Sequence, residues 1–141
     1  MIPYQHTVQY YETDQMHIVH HSNYIRWMEE ARVHYLAQLG WGLDRLEELG
    51  AVSPITALDV QYKRSALFPQ VITIHVTLTK LTGVRLYLHY VMENPDGEVV
   101  FEGDSEHCFT DGAGRIFRLK KDLPGFYEAL RARLPQAQEK P

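Results

Sequence analysis

Apolar and polar residues alternate with period two from Ile72 to Thr79: Ile72, Ile74, Val76 and Leu78 fall on one side, Thr73, His75, Thr77 and Thr79 on the other. This is the pattern of a strand with one face buried. Leu81-Thr82-Gly83 turns the chain into a second alternation, Val84, Leu86, Leu88, Tyr90 and Met92, and Asn94-Pro95-Asp96-Gly97 turns it into a third, VVFEGDSEHCFT. Turns this short make antiparallel neighbours. Between Asn23 and Leu39 the period changes. Tyr24, Met28, Ala31, Tyr35 and Leu39 recur at helical spacing, flanked by Ile25, Trp27 and Leu36, while Arg26, Glu29, Glu30, Arg32 and Gln38 supply a wet side. Ser22 or Asn23 can cap the start of this helix and Gly40 can end it.

The flanking segments are less regular. YQHTVQYY, residues 4–11, is rich in β-favouring types and breaks at Glu12-Thr13-Asp14, which predicts an opening strand and then a polar loop. Ala51 to Phe68 reads as a long irregular strand between Pro54 and Pro69. Asp111-Gly112-Ala113-Gly114 makes a further turn, and Pro124 opens a short helix ending near Leu134. One long helix and a mostly antiparallel sheet predict an α+β layer arrangement in which the helix lies across the sheet. Sticky strands at uncovered edges predict a dimer at least, with a tetramer as the alternative.

The 141 residues suit a single domain over 1–141, with 135–141 expected to fray. A hydrophobic fraction of 45% against 23% charged residues is ordinary for a folded globule and argues against disorder. No apolar run approaches the roughly 20 residues that cross a bilayer, and the first residues lack a signal-peptide pattern, so a cytoplasmic protein without a membrane span is expected. The net charge of −4 lacks the footprint of a nucleic-acid binder, although a local basic patch can still hold a small anion. Cys108, the only cysteine, rules out an intrachain disulfide and reads as a buried thiol.

The segment YYETDQMHIVHHSNYIRWMEEAR concentrates the chemistry. It places Asp14 after a strand, and His20, His21 and Ser22 where the long helix begins. Free N–H groups and a partial positive charge at a helix start can polarise a carbonyl and hold its developing oxyanion, so an amide near His21 is a candidate. A carboxylate can attack an activated thioester or take a proton from water, and neither route needs a metal or a cofactor. The residues alone also fit a turn-forming Asp14 and two ordinary loop histidines. His17, His20 and His21 raise a metal site, but adjacent histidines point in different directions in most backbones, so none is expected. Tyr24, Trp27 and Tyr35 fit a core stripe better than an acyl pocket, with Tyr24 nearest the candidate site.

Tyr11-Glu12-Thr13-Asp14, followed by Val19-His20-His21 and Asn23-Tyr24 leading into a helix, resembles the 4-hydroxybenzoyl-CoA thioesterase-like acyl-CoA thioesterases, and the likeness extends over nearly the whole chain. It implies a hotdog fold, an antiparallel sheet wrapped around one long central helix, that assembles into homodimers. Carried over by position, it implies Asp14 as the catalytic carboxylate, a backbone N–H near His21 as the carbonyl polariser with His21 matching a histidine of one branch, and Tyr24 as a neighbour shaping the site. Ser53 would be a hydroxyl contributed by the partner subunit. Lys63, Arg64, Lys80 and Arg85 would attract the CoA phosphates, CoA being part of the substrate. His17 departs from the pattern, because relatives often carry glycine there, a residue that tolerates backbone angles histidine avoids. Two other readings stand beside thioester hydrolysis: a hotdog hydroxyacyl-thioester dehydratase or hydratase, and a non-catalytic acyl-CoA-binding module.

Overall fold

The computed structural model describes residues 1–135; the fraying expected over 135–141 falls almost wholly on residues outside that range. Strands β1 (Tyr4–Thr7), β2 (Ile55–Tyr62), β3 (Val71–Leu81), β4 (Arg85–Glu93) and β5 (Val99–Cys108) form one sheet in the order β1-β3-β4-β5-β2. Helices α1 (Ser22–Gln38), α2 (Leu43–Glu48), α3 (Leu119–Asp122) and α4 (Pro124–Arg131) complete the described elements. The alternations come through as expected: Ile72, Ile74 and Leu78 of β3 and Leu86, Leu88, Tyr90 and Met92 of β4 are buried. β1 runs antiparallel to β3, with Tyr4 opposite Ile74 and Thr7 opposite Val71.

The chain groups into two compact units. One holds Met1–Tyr35, Val60–Val76 and Tyr90–Gly103; the other holds Leu36–Asp59, Thr77–His89 and the chain from Asp104 onward. In the first, α1 buries Tyr24, Trp27, Met28, Ala31 and Tyr35. Tyr24 stacks on Phe101 of β5 with ring centroids 5.2 Å apart and meets Tyr62 of β2 edge-on at 5.3 Å. Helix and strands approach so closely that a Cβ on Gly103 would lie 3.0 Å from the Met28 and Phe101 side chains and 3.3 Å from Val60. Arg32, expected on the wet side, is only 6% exposed. In the second unit Phe126 of α4 packs against Trp41 and Phe109, at 5.6 and 5.3 Å, and the Arg45 guanidinium covers the Trp41 ring at 3.6 Å.

Several boundaries differ from the sequence reading. The opening strand stops at Thr7, and Tyr10–Glu12 coil into a 3-10 turn. The Glu12 carboxylate folds back to accept the Gln9 N–H at 2.8 Å, so a local capping arrangement outweighs the β preference of Tyr10 and Tyr11. The long strand expected from Ala51 to Phe68 shortens to β2. Beyond it, the Lys63 and Arg64 N–H groups both donate to the Val100 carbonyl, at 2.9 and 3.1 Å, which kinks the ladder as a bulge does. α2 was not anticipated, since six residues are too few for a clear helical period. α1 begins at Ser22, and the Asn23 amide, instead of capping it, donates to the Glu12 carbonyl at 2.9 Å. Gly40 does end α1's last turn in the left-handed region, with φ +82°.

Candidate active site

Asp14 sits in a tight loop closed by its own backbone. Its N–H donates to the Ile18 carbonyl at 2.9 Å, its carbonyl accepts the His17 N–H at 3.0 Å, and Thr13 bridges Val19. The reversal requires φ +66° at His17, the one non-glycine among the described residues in the left-handed region. Glycine would adopt this angle without the penalty that a Cβ brings. The half-buried Asp14 carboxylate accepts the Met16 N–H on Oδ1 at 2.8 Å; Oδ2 accepts no hydrogen bond from the described residues.

The start of α1 lies beside this loop. His20 donates its N–H to the Glu12 carbonyl at 2.9 Å, and its own carbonyl accepts the Asn23 N–H at 3.0 Å. Its Nδ1 contacts the Ser22 hydroxyl at 2.9 Å and the Ser22 N–H at 3.3 Å. The His21 carbonyl accepts the Tyr62 hydroxyl at 3.0 Å. His20 and His21 do not diverge as expected. Their rings lie 4.2 Å apart, because the chain is already turning into the helix and successive side chains no longer alternate as they would in extended backbone. Among the described residues no group of three His, Cys, Asp or Glu side chains is placed to hold a metal ion.

Asp14, His21, Tyr24, Tyr62, Lys63 and Arg64 line one cleft of about 320 Å³. Tyr24 is a buried wall, its hydroxyl accepting the Ala66 N–H at 3.0 Å. Burial raises the Tyr24 hydroxyl above the ordinary tyrosine range, a shift the Ala66 donor offsets only in part and nearby Tyr62 reinforces. Lys63 and Arg64 reach Glu102 and Glu98 at 3.4 and 3.5 Å, exposed pairs that hold the cations loosely. Ser53, Lys80 and Arg85 belong to the second unit and are not among the residues of this cleft. There Lys80 lies over the Tyr87 ring at 5.1 Å, Arg85 approaches Glu106 at 3.7 Å, and the Ser53 hydroxyl oxygen is buried without a hydrogen-bond partner.

The sequence reading missed a polar network next to the Asp14 loop. Glu12, 5% exposed, accepts on Oε1 from the Gln9 N–H at 2.8 Å and pairs there with His6 Nε2 at 2.9 Å; on Oε2 it accepts Trp27 Nε1–H at 2.8 Å. The other nitrogen of His6 lies 3.2 Å from Glu30, which also accepts the Tyr4 hydroxyl at 2.6 Å. Burial by itself would raise the Glu12 carboxyl, but the bonds from Gln9, His6 and Trp27 outweigh it and hold the group below the ordinary 4.5. Burial, and then the bond to Glu30, push the Tyr4 hydroxyl up to about 12. The Gln9-x-x-Glu12 spacing was the one signal available; nothing in sequence spacing joins His6 to Glu30.

The family model of the thioesterase-like superfamily matches residues 8–138. The chain is 30% identical over 123 residues to YneP of Bacillus subtilis, named as a candidate acyl-CoA thioesterase, covering 86% of this chain and 89% of that protein. It is 28% identical over 105 residues to the 1,4-dihydroxy-2-naphthoyl-CoA hydrolase of Thermosynechococcus vestitus, 74% of this chain and 72% of the other. Among solved structures, the DHNA-CoA thioesterase of Staphylococcus aureus superposes with a TM-score of 0.89 at 29% identity, over 97% of this chain and 90% of that one. The sheet is that of the hotdog thioesterases, and the relatives named as thioesterases define a thioester hydrolase. The chain belongs to the thioesterase-like superfamily.

Proposed function

We propose that this chain hydrolyses an acyl-CoA thioester to the free acid and CoA, with Asp14 as nucleophile or general base and the His21 amide polarising the carbonyl. The observation that carries this reading is that Asp14 and His21, the residue just before α1, line the same cleft. The neighbouring amides of His20, Ser22 and Asn23 have partners, so the His21 N–H is assigned to the substrate oxygen. In the nucleophilic route the unbonded Asp14 oxygen forms a C–O bond to the thioester carbon. The C–S bond then breaks, CoA leaves as the thiolate, and water cleaves the mixed anhydride to restore the carboxylate. In the other route Asp14 takes a proton from the water that attacks the carbonyl. Each route uses only the chain, the substrate and water.

Lys63 and Arg64 at the cleft are assigned to the CoA phosphates. The reading includes a homodimer joined at the β2 edge, with a tetramer as the larger alternative. β2 is last in the strand order and exposes Ile55, Leu58 and Tyr62 by 46%, 42% and 48%, an apolar edge that a second chain would cover. In that assembly Ser53 is assigned to the partner's cleft, and Lys80 and Arg85 are assigned with Lys63 and Arg64 to the CoA phosphates. No helix among the described residues is long and apolar enough to cross a membrane, and a cytoplasmic enzyme is the setting we assign.

The test is free-thiol release from short-chain, long-chain and aromatic acyl-CoAs by wild type and Asp14→Asn at equal protein concentration. Turnover should fall at least ~100-fold in the variant, the scale of a lost catalytic acid or base. Variant turnover equal to wild type would remove Asp14 from the mechanism. No thiol release from any substrate would favour the dehydratase or binding-module reading instead.

A further inference from the structure

Glu12 is two residues from Asp14 and is tied to β1, to the 3-10 turn and to the start of α1. Its carboxylate is bonded to β1 through His6, to the turn through Gln9 and to α1 through Trp27. Its carbonyl is bonded to His20, just before α1, and to Asn23 in the helix's first turn. Capping the 3-10 turn would need only the Gln9 contact. The other four bonds join the strand that leads to the Asp14 loop with the start of α1, where His21 and Tyr24 line the cleft.

We propose that Glu12, bridged through His6 to Glu30, is the positioning residue that sets the separation between the Asp14 carboxylate and the His21 N–H that immediately precedes α1. The inference rests on the hydrolytic reading of the cleft and adds to it a residue that touches no substrate. Attack on a carbonyl polarised from the helix start requires the nucleophile and the N–H on defined sides of the same carbon, and a misplacement of about 1 Å can cost ~100-fold in rate. The Asp14 loop alone does not fix that separation: besides its closing bonds within residues 13–19 it is anchored to Tyr10 through Thr13 and to Leu67 and Ala66 through Ile18 and Val19, and none of these contacts reaches the residues that open α1. Glu12 supplies the bonds from the entrance of the loop to the residues that open α1, namely His20, Asn23 and Trp27. A buried carboxylate is tolerated only when its oxygens are fully engaged, and both Glu12 oxygens are bonded to rigid partners: the Trp27 ring is fully buried and the His6 ring packs against it at 4.6 Å. A ring with a single proton can donate to only one of the two carboxylates that His6 bridges, so the geometry of this pair depends on where protons reside.

The experiment compares wild type, Glu12→Gln, Trp27→Phe and Asp14→Asn for kcat and KM in thiol release, with amide hydrogen exchange followed at Asp14, His20, His21 and Asn23 and, as an internal reference, along β4. Glu12→Gln should lower kcat by ~10- to 100-fold with KM within about threefold, because Lys63, Arg64 and the cleft walls are unchanged. Exchange should rise at the loop and helix start while β4 stays protected, and Trp27→Phe, which removes one bond of the set, should fall between wild type and Glu12→Gln. Unchanged kcat per folded molecule, or exchange that rises uniformly through β4, would show that Glu12 only stabilises the fold and would overturn the proposal. Should Asp14→Asn turn over like wild type, the hydrolytic reading fails, and the exchange pattern still decides whether Glu12 holds loop and helix in place.

Discussion

Replacing His17 by glycine isolates the energy of one backbone angle. His17 is exposed, and its φ of +66° is set by the loop that closes between Asp14 and Ile18. An L-residue in this region carries a penalty of about 1–2 kcal/mol. Glycine removes that penalty but loses about 0.5–1 kcal/mol through its greater freedom in the unfolded chain. The difference predicts that His17→Gly is more stable by about 0.5–1 kcal/mol. With a specific unfolding entropy of about 2.1 cal/mol/K per residue, a chain this long should melt about 2–3 °C higher. His17→Ala supplies the control: it keeps the penalty and removes the imidazole, so it should melt close to wild type. Differential scanning calorimetry at fixed protein concentration is the assay, concentration being held constant because an assembling chain melts in a concentration-dependent way. A His17→Gly protein that melts lower than wild type would refute the reasoning, since the imidazole would then contribute more than the backbone loses.

Gly103→Ala should destabilise by about 1–3 kcal/mol in urea unfolding, because the new methyl would lie 3.0 Å from Met28 and Phe101 where helix and strands meet; an unchanged midpoint would mean that the two side chains move aside freely. Tyr24→Phe leaves the Ala66 N–H without its acceptor in a buried setting and should lose about 1–3 kcal/mol by the same measurement. Stability should also fall on the acid side. The Glu12 carboxyl titrates lower in the folded chain than its ordinary 4.5, so its contribution is complete above that value and is lost as pH falls through it to the depressed one. Melting temperature against pH should therefore drop less steeply below 4.5 in Glu12→Gln than in wild type, and parallel curves would count against the Glu12 bonds.

Much of the sheet was legible because burial of one face imposes an alternation that neighbouring residues carry on their own. Ile72 to Leu78 and Leu86 to Met92 show it, and short turns then dictate which strands are neighbours. The helix was legible for the same local reason. What misled was propensity without pattern: Tyr10 and Tyr11 favour extended backbone, yet the Glu12 side chain bonds the Gln9 amide and coils them. Arg32 looked solvated because spacing gives the face of a residue but not what comes to lie over it.

The site divides along the same line. Asp14 in a polar loop and His21 at a helix start are local features, and the residues by themselves determined where the carboxylate and the helix terminus would be, whereas the left-handed φ of His17 was set by the closure of the loop. Only the tertiary structure decided that Lys63 and Arg64 share the Asp14 cleft while Ser53, Lys80 and Arg85 do not, since strand pairing sets which side chains meet and intervening sequence carries no record of it. Only it revealed that His6, Glu12, Trp27 and Glu30 join into one network. Hydrogen bonds act over about 3 Å in space, so partners 15 or 24 residues apart become visible once the chain has folded them together.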